Sequence, residues 1–152
     1  MHRNFEGRLH TVEYKKYRPE YPMEVFETIM DYCREGGTDN SLALDVGCGS
    51  GQSTTPLCSH FQHVIGIDIS PAQIQLAPEN NSKVTFRVGQ AEDMAFLADK
   101  SVDLVTIATT LHWVDQEKFY KEAKRILKQL LYMGMLKDIF HPVLKLTSCI
   151  KR

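Results

Sequence analysis

The sequence has no apolar run approaching the roughly 18 to 20 residues that a membrane-spanning helix requires, so no membrane span is expected. Its first residues, Met1-His2-Arg3-Asn4-Phe5-Glu6, lead into mixed charge rather than an apolar core, and no secretory signal is expected there. Cysteine is sparse: Cys33, Cys48, Cys58 and Cys149 show no C-x-x-C spacing. That pattern speaks against a disulfide framework and leaves reduced thiols in a cytoplasmic protein as the expectation. The six histidines, at positions 2, 10, 60, 63, 112 and 141, are scattered without cysteines at ligand spacing, so no metal site is expected. Repeats and low-complexity tracts are absent. Net charge is also missing: 18 Lys and Arg against 19 Asp and Glu give −1, which excludes a whole-molecule electrostatic grip on nucleic acid.

What is present suits one folded domain. The chain has 152 residues, 43% hydrophobic and 24% charged, close to globular averages and long enough to bury a core without staples. Charge is unevenly placed, however. Residues 1–117 carry nine basic against seventeen acidic side chains, a net −8, and residues 118–152 carry nine against two, a net +7.

The apolar residues Val25, Phe26, Ile29, Met30 and Cys33 follow helical spacing after Pro22, and Gly36-Gly37 supplies a stop. Leu42 to Val46 reads as a buried strand. Gln52 to Phe61 is expected to be helical, with Pro56 tolerated only near the first turn. His63 to Asp68 reads as a second strand. Ser70-Pro71-Ala72-Gln73 then opens a helix with a capping-box pattern and proline at its first position. Val84 to Val88 and Asp103 to Ala108 are the third and fourth strands, with a helix expected in the crossover at 89–102. Between Gln116 and Leu131, Phe119, Tyr120, Ala123, Ile126, Leu127, Leu130 and Leu131 line a helical face. Alternating strands and helices of this kind predict an α/β fold: a Rossmann-like, doubly wound parallel sheet with right-handed crossovers.

Leu44-Asp45-Val46-Gly47-Cys48-Gly49-Ser50-Gly51-Gln52 lies where the first strand turns toward a helix, the place where such folds bind nucleotides. Gly47 permits a tight turn and Gly49 lets a ligand lie against bare backbone. Asp68 follows Gly47 by 21 residues, near the spacing of a ribose-binding acid. Its other reading is a cap on the helix at Pro71. A dinucleotide site usually has a third small residue where this chain has Gln52. Asp45 is unhelpful to a diphosphate but welcome near an ammonium or sulfonium. Both points favour S-adenosyl-L-methionine over a nicotinamide dinucleotide.

The segment Leu44 to Gly51 resembles motif I of the class I S-adenosylmethionine-dependent methyltransferases. Asp68 matches their acidic residue after strand two, and Gly89-Gln90-Ala91-Glu92-Asp93-Met94-Ala95-Phe96 resembles their segment after strand three. Leu104 to Asp115, with His112-Trp113-Val114-Asp115, is similar to the type 11 branch that includes trans-aconitate methyltransferase-like enzymes. Tyr14-Lys15-Lys16-Tyr17-Arg18-Pro19-Glu20-Tyr21-Pro22 resembles the lead-in of the same branch. The four motifs cover roughly residues 10–127.

The resemblance implies that Gly47, Gly49 and Gly51 meet the methionine part of the cofactor, with Asp45 near its amino group. It implies that Asp68 holds the ribose hydroxyls, Ile69 packs on the adenine, and Gln90, Ala91 and Glu92 lie at the adenine edge. Thr109 would make a backbone contact near the transferred methyl. Methyl transfer from a sulfonium asks mainly for proximity, orientation and exclusion of water. His112 is the candidate base where the acceptor must lose a proton. The alternative is that His112 and Trp113 close and shape the pocket. Tyr17 and Arg18 are candidate substrate residues, because a guanidinium can pair with a carboxylate on a small-molecule acceptor. They read equally as an extended lead into the first helix. Cys48 reads as a small buried residue rather than a nucleophile.

The resemblance fades after Lys128, where Gln129 to Leu136 replaces the family's Pro-Gly-Gly turn. This divides the chain into a cofactor-binding domain at 1–128, with its lead-in at 1–22, and a divergent tail at 129–152. On that reading the chain is a truncated form, its sheet is incomplete after strand four and its helix, and the edge at Leu104-Val105-Thr106-Ile107 is unpaired unless Ile139, Val143, Leu144 and Leu146 cover it. The expected function is a small-molecule methyltransferase. The alternatives are a truncated, non-catalytic form and an NAD-dependent oxidoreductase.

Overall fold

The computed structural model describes residues 21–79, 81–128 and 133–136. Helix α1 (Met23–Glu35) buries Phe26, Met30 and Cys33, an i, i+4, i+7 stripe. It ends where Gly37 adopts φ +67° and the Thr38 amide donates back to the Cys33 carbonyl at 3.2 Å. A left-handed residue of this kind closes a helix at little cost only when it is glycine.

Five strands follow: β1 (Leu42–Val46), β2 (His63–Asp68), β3 (Val84–Val88), β4 (Leu104–Ala108) and β5 (Met133–Leu136). They form one parallel sheet in the order β3-β2-β1-β4-β5. The chain steps outward from β1 to β3, then returns to the far side of β1 for β4. The C-terminal ends of β1 and β4 therefore open a crevice where the winding changes direction.

Side chains alternate across the strands and split the core in two. On one face Leu44, Val46, Ile67, Val105 and Ile107 pack with Phe119, Ala123 and Ile126 of helix α4 (Gln116–Ile126). On the other, Ala43, Val64, Leu104 and Ala108 pack with Phe26, Met30 and Cys33 of α1 and with Leu57 and Phe61. Two networks stitch the ends together. Arg125 donates to the Met94 and Leu97 carbonyls, Glu122 and Asp99 at 2.7–3.0 Å. Lys128 donates to Asp39, Ser41 and the buried Asp103 at 2.6–3.2 Å, at the start of β1 and β4.

Several sequence expectations change. The edge of β4 is not bare: β5 lies along it, with Val105 opposite Met133 and Ala108 opposite Leu136. The sheet thus continues beyond the helix at which it was expected to stop. The expected helix at 52–61 is one turn, α2 (Thr54–Leu57); Pro56 lacks an amide hydrogen, and tight i→i−3 bonds carry the chain onward to His60. The capped helix at Pro71 is present but short, α3 (Pro71–Ile74), with Ser70 Oγ accepting from the Gln73 amide at 3.4 Å. The crossover at 89–102 contains no helix, because α4 holds it through Arg125 and Glu122. Helix α4 ends at Ile126, where Leu127 turns extended and bridges Val102. Tyr120 is 39% exposed rather than core, since adjacent positions 119 and 120 cannot both face the sheet. Leu130, Leu131, Ile139, Val143, Leu144 and Leu146 lie outside the described residues.

Candidate functional site

The glycine loop leaves β1 with Gly47, Gly49 and Gly51 at φ +68°, +55° and +89°. Each lies in the left-handed region that a side chain disfavours. Their surroundings differ. A Cβ on Gly47 would stand 2.3 Å from Thr110 Oγ1, and one on Gly51 would stand 2.6 Å from Phe86 Cζ. Among the described residues, a Cβ on Gly49 would meet only Gln73 Oε1, at 3.6 Å. Gly47 and Gly51 therefore let the loop pack closely against its neighbours, while Gly49 presents bare backbone to an open space.

Asp68 ends β2 beside this loop. Its Oδ2 accepts the Gly49 amide at 2.9 Å and its Oδ1 accepts the Ser70 amide at 2.8 Å. The carboxylate thus serves the cap that the sequence suggested. It is only half-buried and has accepting capacity left for vicinal hydroxyls, since a carboxylate takes about four hydrogen bonds. A half-exposed acid beside glycine backbone fits an adenosine ribose and its 5′ substituent.

Asp45 is placed differently from the other candidates. It points to the α1 face of the sheet and exposes none of its surface. Its Oδ2 accepts from Ser53 Oγ and Thr54 Oγ1, both at 2.7 Å, and its Oδ1 accepts from Thr106 Oγ1 at 2.8 Å. Thr106 is its cross-strand partner in register on β4.

Cys48 is 4% exposed. Burial pushes its thiol far above the usual range, and the charges of Asp45 and Asp68 push it further. At neutral pH it is a protonated thiol, without the thiolate that a nucleophile needs.

After β3, Gln90 is exposed, Ala91 is buried in the core, and Glu92 is half-buried. Glu92 Oε1 accepts the Asp115 amide at 2.9 Å. That bond ties the segment after β3 to the segment after β4. Ile69 is half-buried after β2. Thr109, at the end of β4, has φ +58°, an outlier for a β-branched residue and the kind of local strain that clusters at functional sites. His112 and Trp113 follow in a short 3-10 turn (Leu111–Trp113), both exposed, with ring centroids 4.9 Å apart. Tyr17 and Arg18 lie outside the described residues. No metal-binding group of three or more His, Cys, Asp or Glu occurs among the described residues, nor any helix long and apolar enough to cross a membrane.

The structure thus gathers the glycine loop, Asp68, the 90–92 segment and the 109–113 segment at the C-terminal edge of the sheet. It adds residues that the motifs did not reveal. Ser53, Thr54 and Thr106 hold Asp45, and Phe86 fills the space over Gly51 and over its register partner Gly66. The Ser53-Thr54 pair shortly after the loop was a visible signal. Phe86 and Thr106 become evident only once the register is known.

A family model described as a methyltransferase domain matches residues 44–130. A Dictyostelium discoideum protein named as a methyltransferase is 40% identical over 116 residues, 76% of this chain and 42% of that protein. A Saccharomyces cerevisiae protein named as an S-adenosylmethionine-dependent methyltransferase is 32% identical over 134 residues, 84% and 44% of the two chains. The chain spans a little under half the length of these curated relatives. A solved structure described as a type II methyltransferase from Anaeromyxobacter dehalogenans has a TM-score of 0.63 and 36% identity, covering 73% of this chain and 45% of its own. One from Aquifex aeolicus has a TM-score of 0.65 at 22% identity, covering 82% and 71%, and bears on the fold alone.

Proposed function

The chain belongs to the methyltransferase domain family, and from that membership we propose that its site binds S-adenosyl-L-methionine and directs methyl transfer to a small-molecule acceptor. One observation carries the reading: bare Gly49 backbone lies open beside Asp68, at the crevice where the sheet changes direction. When bound, this cofactor supplies a methyl group on a cationic sulfur that leaves as a neutral thioether.

The protein's own contribution is placement. Asp68 accepts the ribose hydroxyls, and Gly47, Gly49 and Gly51 allow the amino-acid portion to approach the loop backbone. Ile69 packs on the adenine, and Gln90, Ala91 and Glu92 border its edge. Thr109 contributes backbone close to the reacting centre. His112 and Trp113 close the acceptor side and exclude water. Where the acceptor must lose a proton, a ring nitrogen of His112 takes it.

The acceptor we assign is a small carboxylate, in the manner of the trans-aconitate methyltransferase-like branch. The support is the Tyr17-Arg18 lead-in, whose guanidinium suits a carboxylate. A cytoplasmic setting is in keeping with the free, buried thiols of Cys33, Cys48 and Cys58. Calorimetric titration with S-adenosylhomocysteine tests the cofactor assignment, and saturable binding is expected. Binding of NAD with no response to S-adenosylhomocysteine would overturn it. A methyl-release assay across small carboxylic acids then tests the acceptor, and turnover confined to amines or thiols would reject a carboxylate.

A further inference from the structure

We propose that Asp45 is a positioning residue, which serves the cofactor by clamping the glycine loop between α2 and β4 rather than by touching the ligand. The proposal rests on the cofactor reading above. Asp45 has no exposed surface, so no ligand atom reaches it in this conformation. Among the described residues, three hydroxyls donate to its carboxylate, from Ser53 and Thr54 on the far side of the loop and from Thr106 on the neighbouring strand.

The geometry explains why an acid stands there. The loop begins immediately after β1 and ends at Ser53, so Asp45 bonds to the first residues beyond the segment that it precedes. One carboxylate oxygen accepts from two adjacent hydroxyls at the far end of the loop, while the second reaches β4. An amide has only one accepting oxygen and could not receive all three hydroxyls in the same way. Hydrogen bonds to a charged acceptor are the stronger class, and buried ones are costly to leave unmade. The loop that leaves Gly49 open is thereby held at both ends without a side chain entering the open space.

The test compares Thr106→Val, Ser53→Ala and Thr106→Ser with the parent chain. Amide hydrogen exchange is measured on the cofactor-free protein and affinity with S-adenosylhomocysteine. Thr106→Val is expected to quicken exchange across 47–54 about tenfold relative to β2, and to weaken the ligand by a similar factor. Thr106→Ser keeps the hydroxyl and is expected to restore both. Ser53→Ala, at a half-buried position, repeats the effect without disturbing the strand core. Unchanged exchange at 47–54 in both folded hydroxyl-deleted variants would overturn the clamp. Faster exchange there with unaltered affinity would overturn its service to the cofactor. If the parent chain fails to bind S-adenosylhomocysteine, the cofactor reading and the cofactor role of Asp45 fall together, and exchange still decides the clamp.

Discussion

Thr110 sits so close to Gly47 that a Cβ on the glycine would stand 2.3 Å from Thr110 Oγ1 and 2.6 Å from its Cβ. The segment after β4 therefore rests on the first residue of the loop after β1, and the two sides of the crevice are in direct contact. Gly47→Ala has to move Thr110 and also strains a left-handed backbone. A stability loss of about 2–4 kcal/mol is expected in urea unfolding, combining strain with overpacking. A loss below about 0.5 kcal/mol, the range of an ordinary surface change, would contradict the close approach.

Gly49→Ala provides the contrast. It shares a positive φ, but its nearest neighbour would be Gln73 Oε1 at 3.6 Å. Only the backbone penalty of about 1–2 kcal/mol applies to folding. The new methyl would occupy the space assigned to the ligand, so S-adenosylhomocysteine binding is expected to fall at least tenfold in a folded protein. Calorimetry that finds full affinity would move the cofactor away from Gly49.

Asp68→Ala removes the proposed ribose acceptor together with the partner of the Gly49 and Ser70 amides. Cofactor affinity is expected to weaken by about 1–3 kcal/mol. Asp68→Asn keeps an accepting oxygen and should fall between the parent and alanine. Equal affinities across the series, measured by titration at fixed ionic strength, would exclude contact with the ribose.

Acid should weaken the fold. Glu122 is held below the usual carboxylate range by Arg125, Asp115 by the Lys118 amide, and Asp39 by the Lys128 ammonium. A carboxyl whose native pKa is depressed stabilises the fold fully above its unfolded value. That contribution disappears as pH falls through the native value. The urea midpoint should therefore hold steady down to about pH 5 and decline below about pH 4. A midpoint unchanged to pH 3 would mean that these groups are not paired as observed. Glu122→Gln should reduce the acid slope.

Phe119 is fully buried against the sheet. Phe119→Ala is expected to cost about 3–5 kcal/mol, and Phe119→Leu less, by denaturant titration. Tyr120→Ala, on the exposed side of the same helix, should stay within about 0.5 kcal/mol. Reversal of that order would place the wrong face of α4 on the core.

How much of this was legible in the sequence depends on how local each cause is. The glycine loop, Gly37 and the Ser70-Pro71 cap were readable because backbone geometry at those points selects the residue type. Asp68 was readable by spacing, and both of its weighed roles are compatible with the structure. The absence of helix at 89–102 was not readable: Arg125 and Glu122, some thirty positions later, hold that segment as a loop. Neither was β5, because Met133-Gly134-Met135-Leu136 lacks β-branched residues and its pairing depends on the free edge of β4. The motif placed Asp45 near the cofactor's amino group but carried no sign of its burial. Its burial follows from β4 docking beside β1, which no local pattern records.

The strand order also governs timing. Asp45 and Thr106 lie 61 residues apart, and nothing in the β1–β2–β3 half can supply that hydroxyl. During synthesis the glycine loop, Asp68 and the first three strands are complete while the central strand still has one open side. Pairings of such long sequence separation close slowly, after local turns and helices have formed. The β1–β4 seam, with its buried carboxylate, should therefore gain protection late in refolding and mark the step that turns a collapsed chain into one able to hold a ligand.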